Sequence, residues 1–192
     1  MIRTEDYAQV EVTSARQLRD WLMLHHTQER SIWLVTFKKH VADRYVSTPE
    51  ILDEILCFGW IDGLRRKLDS DRVIQLLSPR RQQVWAATYK NRIVRLTAQD
   101  QMHPAGLAAV ERSKAAGLWS KLDHVDALII PGDLAAGLLV PPDAAARFDN
   151  FAPSYRRNVL RWLAQARTPD TRARRIAAIV QSSKNARKLP NM

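Results

Sequence analysis

Seven consecutive residues, Cys57–Gly63 with the sequence CFGWIDG, combine a thiol, an indole, a carboxylate and two glycines. Most of the stretch has a structural explanation, because Gly59 falls where a helix would end in a left-handed residue. Asp62 is the exception, since a carboxylate in a buried strand must find partners or shift its pKa. Ion pairing with Arg65 or Arg66 is the ordinary explanation for this carboxylate, and catalysis is the alternative.

A second motif, SPRR at residues 78–81, suits the binding of an anion. Ser78 is predicted to cap a helix that begins after Pro79, and the first turn of a helix has free backbone N–H groups. Arg80 and Arg81 would place two guanidinium groups beside those N–H groups. This combination favours a phosphate or a carboxylate ligand.

The elements around the two motifs should bring them together. The segments WIDGLRRKL and DRVIQLLS are typical of strands, and the turn DSD between them predicts an antiparallel hairpin. Paired strands lie ~5 Å apart, so the sequence predicts a small-ligand pocket in the region 60–91, with tryptophan as its wall and arginine as its charge partner. The candidate ligand-binding residues are Trp60, Asp62, Ser78, Arg80, Arg81, Trp85 and Asn91.

Other candidate reactive groups have less support. Cys57 lies near a predicted helix C-terminus, where the helix dipole disfavours a thiolate, so a buried inert thiol is favoured over a nucleophile. The five histidines are scattered, and the adjacent His25 and His26 diverge on a helix. Because no complete catalytic motif is present, we predict no bound metal, no cofactor and a binding protein in preference to an enzyme.

The net charge of +10 over 192 residues is distributed unevenly. Residues 147–192 hold eleven basic and two acidic side chains, and residues 60–100 hold nine and four. The basic C-terminal helices give an alternative function, the nonspecific binding of nucleic acid or of an acidic protein partner. The arginines concerned are Arg156, Arg157, Arg161, Arg172, Arg174 and Arg175. A solvated helix surface that binds nothing explains the same pattern.

The cellular compartment is predicted from cysteine content and from the N-terminus. A single cysteine excludes an internal disulfide and fits a reducing compartment. The N-terminal stretch MIRTEDYAQVEV lacks the basic start and apolar run of a secretory signal, and no stretch approaches the ~18 apolar residues of a membrane span. We therefore expect a cytoplasmic protein without a transmembrane segment.

Periodicity and capping signals predict an α+β domain in residues 1–120, followed by an all-helical unit in residues 121–192. The α+β domain should contain a small mixed or antiparallel sheet packed by helices, one of them capped by Ser47 or Thr48. Helices fill the C-terminal unit. The apolar stripe of its last helix is predicted at Ala173, Ile176, Ala177 and Val180.

Several spaced motifs together resemble a known family. They are EILCFGWIDG, SPR ahead of a segment with Trp and NR, MHPAGLAAV, GLW, PGDLAAGL and YRRNVLRWLAQARTPDTRARRI. The chain is similar to the YdeI/OmpD-associated, or bacteriocin-protection, family over nearly its whole length. This resemblance implies a stress-resistance role against bacteriocins or cationic antimicrobial peptides and an association with an outer-membrane porin. It supplies no catalytic residues.

Overall fold

The computed structural model describes residues 3–190. The chain divides into two compact units, the first ending at Ser120 and the second beginning at Lys121. The first unit contains a four-stranded sheet with four longer helices, and the second is helical. The predicted fold class, an α+β region followed by an all-helical region, is confirmed.

The sheet of the first unit is mixed, with the strand order β1-β2-β4-β3. Strand β1 runs parallel to β2, and the other neighbours are antiparallel. The strands are β1 (Gln9–Glu11), β2 (Ile32–Phe37), β3 (Trp60–Lys67) and β4 (Arg72–Pro79). All six residues of β2 are buried, which agrees with its continuous apolar sequence. The hairpin of β3 and β4 was predicted from the sequence, whereas β1 was not.

Four helices accompany this sheet, and serine side chains cap the first two of them. Ser14 accepts a hydrogen bond from the backbone at the start of α1, and Ser47 forms a capping box with Glu50 at the start of α2. The helices are α1 (Ala15–His25), α2 (Thr48–Cys57), α3 (Ala87–Ala98) and α4 (Pro104–Ala115). Helix α2 is central, because it contacts α1, α3, α4 and β3.

The main core of the first unit lies between one face of the sheet and these helices. Leu34, Ile55, Trp60 and Trp85 are completely buried there. Trp33, Val35 and Ile74 form a smaller cluster, and their alternation with core residues such as Leu34 places them on the opposite face of the sheet.

Glycines allow α2 and α4 to approach closely. A Cβ atom added at Gly106 would lie 2.1 Å from the carbonyl oxygen of Cys57, so only glycine fits there. Gly59 has a φ of +75°, and a Cβ atom on it would lie 2.8 Å from that of Ala109. This close contact fixes the end of α2 and the start of β3 against α4.

The second unit is built from helices of unequal length. They are α5 (Asp123–Asp126), α6 (Gly132–Leu139), α7 (Ala144–Asp149), α8 (Pro153–Ala164) and α9 (Pro169–Lys184). Helix α9 contacts α6, α7 and α8. Leu134, Phe148, Val159 and Leu163 are completely buried in this unit. No helix formed by residues 3–190 has the length and apolar character needed to cross a membrane.

One predicted element begins later than expected. Strand β4 continues through Pro79, and the helix that was expected directly after Pro79 begins only at Ala87. Ser78 pairs with Ile61 in the sheet and so does not cap a helix. Residues 80–86 form an irregular loop, which removes the helix N-terminus from the predicted anion site.

Candidate functional site

Arg80 opens the loop between β4 and α3, and its side chain is folded into the protein. Its backbone N–H donates to the carbonyl of Gly59 at 2.9 Å. The residue is only 4% exposed. Its guanidinium carbon lies 3.8 Å from the centre of the Trp85 ring, a close cation–π contact. The loop therefore holds a positive charge inside the first unit.

The hydrogen bonds of Arg80 leave part of the guanidinium group free. Nη1 donates to the backbone carbonyls of Gln83 and Val84, each at 3.3 Å. Nε and Nη2 are buried and have no hydrogen-bond partner among the residues that the structure describes. Burial lowers the pKa of Arg80 to about 10, although the charges of Tyr89 and Asp62 oppose this change. Arg80 therefore remains protonated at neutral pH.

A cleft of about 630 Å³ is lined by Arg80 together with Arg81 and Arg112. The Arg81 side chain is exposed and donates to the backbone carbonyl of Glu29 at 3.2 Å, while the Glu29 carboxylate lies 3.9 Å away. Arg112, on α4, is exposed, and within residues 3–190 its side chain has no hydrogen bond or ion pair. The remaining lining residues include His26, Phe58, Gly59, Pro79 and Ala105. The cleft thus combines three arginines with a partly apolar wall.

Two histidines and a phenylalanine pack together beside this cleft. The ring of His103 lies 4.8 Å from that of Phe58 and 4.6 Å from that of His26. His103 caps α4 by accepting the backbone N–H of Ala105 on Nδ1 at 3.2 Å. Its pKa is lowered by burial, and then by the charges of His26 and Arg19. A neutral imidazole ring therefore fits this position.

Asp62 finds partners other than those predicted. Tyr89 donates its hydroxyl to Asp62 at 2.5 Å, and Gln75 donates at 3.3 Å. The predicted ion pairs are wrong, because Arg65 donates to a threonine hydroxyl and Arg66 lies over an indole ring. A β-bulge between Asp62 and Arg65 shifts the register, which redirects these side chains. Burial and the bond to Asp62 raise the pKa of Tyr89.

The other predicted ligand-binding residues lie at different distances from the cleft. Trp60 is completely buried and donates its indole N–H to the carbonyl of His26 at 3.2 Å. Ser78 exchanges a hydrogen bond with Ser31 at 2.7 Å. Asn91 is exposed on α3 and is not among the lining residues. Of the seven candidates, Arg80 and Arg81 line the cleft, and Trp85 contacts the guanidinium of Arg80.

Cys57 is a buried thiol within α2. It is 1% exposed, and burial raises its pKa despite the opposing effect of Arg19. These properties disfavour a thiolate nucleophile. Within residues 3–190, no three His, Cys, Asp or Glu side chains are grouped so that they could hold a metal ion.

Arg112 and His26 are two of the cleft residues that the sequence analysis missed. Both come from elements distant in sequence from the SPRR motif, and tertiary packing alone brings them near it. One signal was present for Arg112, because Gly106 inside a predicted helix indicates close packing at that helix. The turns that follow Gly106 carry Arg112 to the cleft.

The six C-terminal arginines of the alternative interface are mostly engaged within the second unit. Arg172 bonds Asp133 twice, at 2.5 and 2.8 Å, and Arg156 pairs with Asp149 at 2.8 Å. Arg161 lies 3.6 Å from the carboxylate of Asp126, and Arg175 lies over the Trp162 ring and donates to the Trp162 carbonyl. Arg174 is exposed and makes only a long contact of 3.5 Å with Thr171, and Arg157 is half-buried.

Two family models match the chain in tandem. Residues 10–109 match a domain of unknown function, DUF8412, which covers more than half of the chain. Residues 127–185 match the family described as bacteriocin-protection, YdeI or OmpD-associated. The predicted family resemblance is thereby confirmed for the helical unit. No curated protein and no solved structure matches the chain. The chain therefore belongs to the DUF8412 family, and its residues 127–185 are similar to the bacteriocin-protection, YdeI or OmpD-associated family.

Proposed function

We propose that the first unit binds a small anionic ligand in the cleft lined by Arg80, Arg81 and Arg112. The observation that carries this proposal is that Arg80 lines the cleft while its buried guanidinium hydrogen-bonds only backbone carbonyls among residues 3–190. Charged side chains are rarely buried without a paired partner. An anion in the cleft would supply that partner.

The surroundings of Arg80 favour a ligand over an internal ion pair. Asp62, which attracts Arg80, already accepts hydrogen bonds from Tyr89 and Gln75. Arg80 is also held in place by the indole of Trp85 and by two backbone carbonyls. A pre-positioned charge loses little side-chain entropy when its ligand binds.

A thermal-shift experiment with matched arginine-to-lysine variants tests the proposal. The melting temperature is measured with phosphate, acetate and benzoate at low and near-physiological salt. For the wild type, we expect a rise of roughly 3–6 °C at about ten times Kd. R80K keeps the charge but loses the planar set of donors, and should abolish the rise. R65K, an exposed site outside the cleft, should retain it.

Three results would argue against anion binding at Arg80. They are a wild-type protein that responds to none of the anions, a rise that disappears at near-physiological salt, and an R80K variant that responds like R65K. The third would mean that Arg80 is a structural residue of the loop. Melting of each variant without added anion shows whether R80K still folds.

The alternative function, binding of nucleic acid or an acidic partner by the C-terminal arginines, has less support. Four of the six arginines use their guanidinium groups on Asp126, Asp133, Asp149 or Trp162. An external phosphate would have to compete with these internal partners. Retention on DNA at near-physiological salt is the measurement that would favour this alternative.

A further inference from the structure

We propose that the cleft selects an organic ligand with a doubly charged head group, of the phosphate monoester class. This inference rests on the proposed function, and it adds the charge and the kind of molecule that the site would accept. Three features of the cleft support it: the arrangement of the free donors, the balance of charge and the size of the cavity.

The free donors of Arg80 lie along one edge of the guanidinium group. Nη1, the nitrogen on the Cδ side, is occupied by the carbonyls of Gln83 and Val84. The two unpartnered atoms, Nε and Nη2, are neighbours on the opposite edge. Both atoms are closed to solvent, so the cleft has to open at Arg80 before their parallel N–H groups can hold two oxygens of one carboxylate or phosphate. Lysine cannot reproduce this arrangement.

The charges that line the cleft favour a dianion over a monoanion. Arg80, Arg81 and Arg112 contribute three positive charges, and among residues 3–190 Glu29 is the one acidic residue of the lining. Glu29 is strongly exposed and lies 3.9 Å from Arg81. The surplus of two positive charges matches a phosphate monoester, which carries about −1.5 to −2 at pH 7. A carboxylate would neutralise half of that surplus.

The cavity has room for more than a head group. Its volume of about 630 Å³ falls within the roughly 300–1,000 Å³ of small-molecule sites. Phe58, Pro79 and Ala105 supply apolar lining. We therefore infer that the ligand carries an organic group which contacts this wall while its phosphate contacts the arginines.

Calorimetry with three probes tests the inference. Phenyl phosphate and phenyl sulfate have similar shapes, but the sulfate is a monoanion, and inorganic phosphate lacks the organic group. For the wild type, we expect phenyl phosphate to bind roughly tenfold more tightly than either of the others, a difference of about 1.4 kcal/mol. R112Q, at an exposed residue, should reduce the preference for phosphate over sulfate, and R80K should weaken both phenyl esters.

The outcomes separate this inference from the proposed function. If the wild type binds the two phenyl esters with equal affinity and R80K binds neither, the preference for a dianion is wrong, whereas the proposed anion binding is supported. Equal affinity for phenyl phosphate and inorganic phosphate would overturn the organic group alone. No binding of any probe, with acetate and benzoate also inactive, would overturn both. If R80K does not fold, R112Q still decides whether the charge surplus selects the ligand.

Discussion

Arg80 and Arg172 are both arginines of basic segments, but their surroundings differ in every respect. Arg172 is about one-third exposed and bonds both carboxylate oxygens of Asp133, which raises its pKa. Arg80 is 4% exposed and bonds only carbonyls, and burial lowers its pKa to about 10. The charge of Arg172 is already paired with a carboxylate, whereas Arg80 has only the electrostatic attraction of Asp62, to which it makes no hydrogen bond among residues 3–190.

This difference shows why net charge is a poor guide to a binding site in this protein. The segment 147–192 has the larger excess of basic residues, yet most of its candidate arginines already have internal partners. The region 60–100 has a smaller excess but contains Arg80, which lines a cleft and has two buried donors without a partner among residues 3–190. Within the described part of the chain, Arg156 and Arg161 each have one buried donor without a partner, but both also pair with a carboxylate. Burial without a paired carboxylate therefore favours Arg80 as a candidate, where charge counting favours the C-terminal segment.

The largest effect is expected at Gly106, which holds α4 and its Arg112 against the rest of the cleft. In G106A, the new Cβ would meet the Cys57 carbonyl at 2.1 Å, so α4 must move. We expect a loss of about 3 kcal/mol or more in the free energy of unfolding, because a backbone carbonyl cannot easily yield. Urea denaturation measures this loss, and anion binding should weaken with it.

Gly137 in the second unit provides a matched control for Gly106. A Cβ there would contact the methyl groups of Ile176 and Val180 at 3.2 Å, and such side chains can adjust. Both substitutions gain the same intrinsic helix propensity of about 1 kcal/mol. G137A should therefore stay within about 1 kcal/mol of the wild type and leave anion binding unchanged. Similar losses of unfolding free energy in G106A and G137A would show that the close approach of α2 and α4 does not cause the loss in G106A.

The fold was predictable where local signals determine it. The capping box at Ser47 and Glu50, the turn of the β3–β4 hairpin and the continuous apolar run of β2 each describe a short segment by itself. Strand β1 escaped prediction because three residues give no reliable periodicity. The late start of α3 depends on tertiary structure, since Trp85 is drawn into the core ahead of the helix.

The last helix shows a different limit of sequence patterns. Ala173 and Ala177 were predicted on its apolar stripe, but they are exposed, so that part of the prediction is wrong. The buried positions are Ile179, Ser182 and Ser183. A buried serine is possible because its hydroxyl bonds the carbonyl of the preceding turn, as Ser183 does with Ile179 at 2.9 Å. A buried helix face that contains serines therefore shows no apolar stripe in the sequence.

The candidate site was predictable only in part. Arg80 and Arg81 were identified because the motif SPRR is contiguous, and both line the cleft. The partners of Asp62 were predicted wrongly, because Tyr89 lies 27 residues away and reaches it across the fold. Arg112 was missed for the same reason. Residues that meet through packing of distant segments leave little trace in a single sequence.

An intermediate effect is expected where Tyr89 supports Asp62 behind Arg80. In Y89F, the carboxylate loses its shortest hydrogen bond, of 2.5 Å. We expect a loss of about 1–3 kcal/mol in the free energy of unfolding, since the bond involves a charged group that is half-buried. Y45F is a matched control, because within residues 3–190 the Tyr45 hydroxyl has no hydrogen bond. An equal loss of unfolding free energy in Y89F and Y45F would contradict the role of Asp62 as a fixed hydrogen-bond acceptor for Tyr89.

A smaller effect, dependent on pH, is expected from His103 at the start of α4. The pKa of His103 is lower in the folded protein than in the unfolded chain. As the pH falls below about 6.5, His103 therefore takes up a proton in the unfolded chain before it does so in the folded protein. Stability should therefore be lost between about pH 7 and pH 5, and the contribution should vanish above that range. H103N keeps a good helix cap without a titrating ring. Unfolding free energies across this range should fall less steeply for H103N, and parallel curves would rule out His103 as the cause.

The smallest effect is expected from R172K, the same substitution as R80K placed in the other basic region. Lysine loses the double bond to Asp133 but keeps the charge. Exposed ion pairs contribute about 0.2–1 kcal/mol, and salt screens them, so the loss should be small and should shrink as salt is added. Anion-induced stabilisation should persist in R172K although it is absent in R80K. If the two lysine variants instead keep the anion response equally, the anions bind through general positive charge, and the planar donors of Arg80 have no part in recognition.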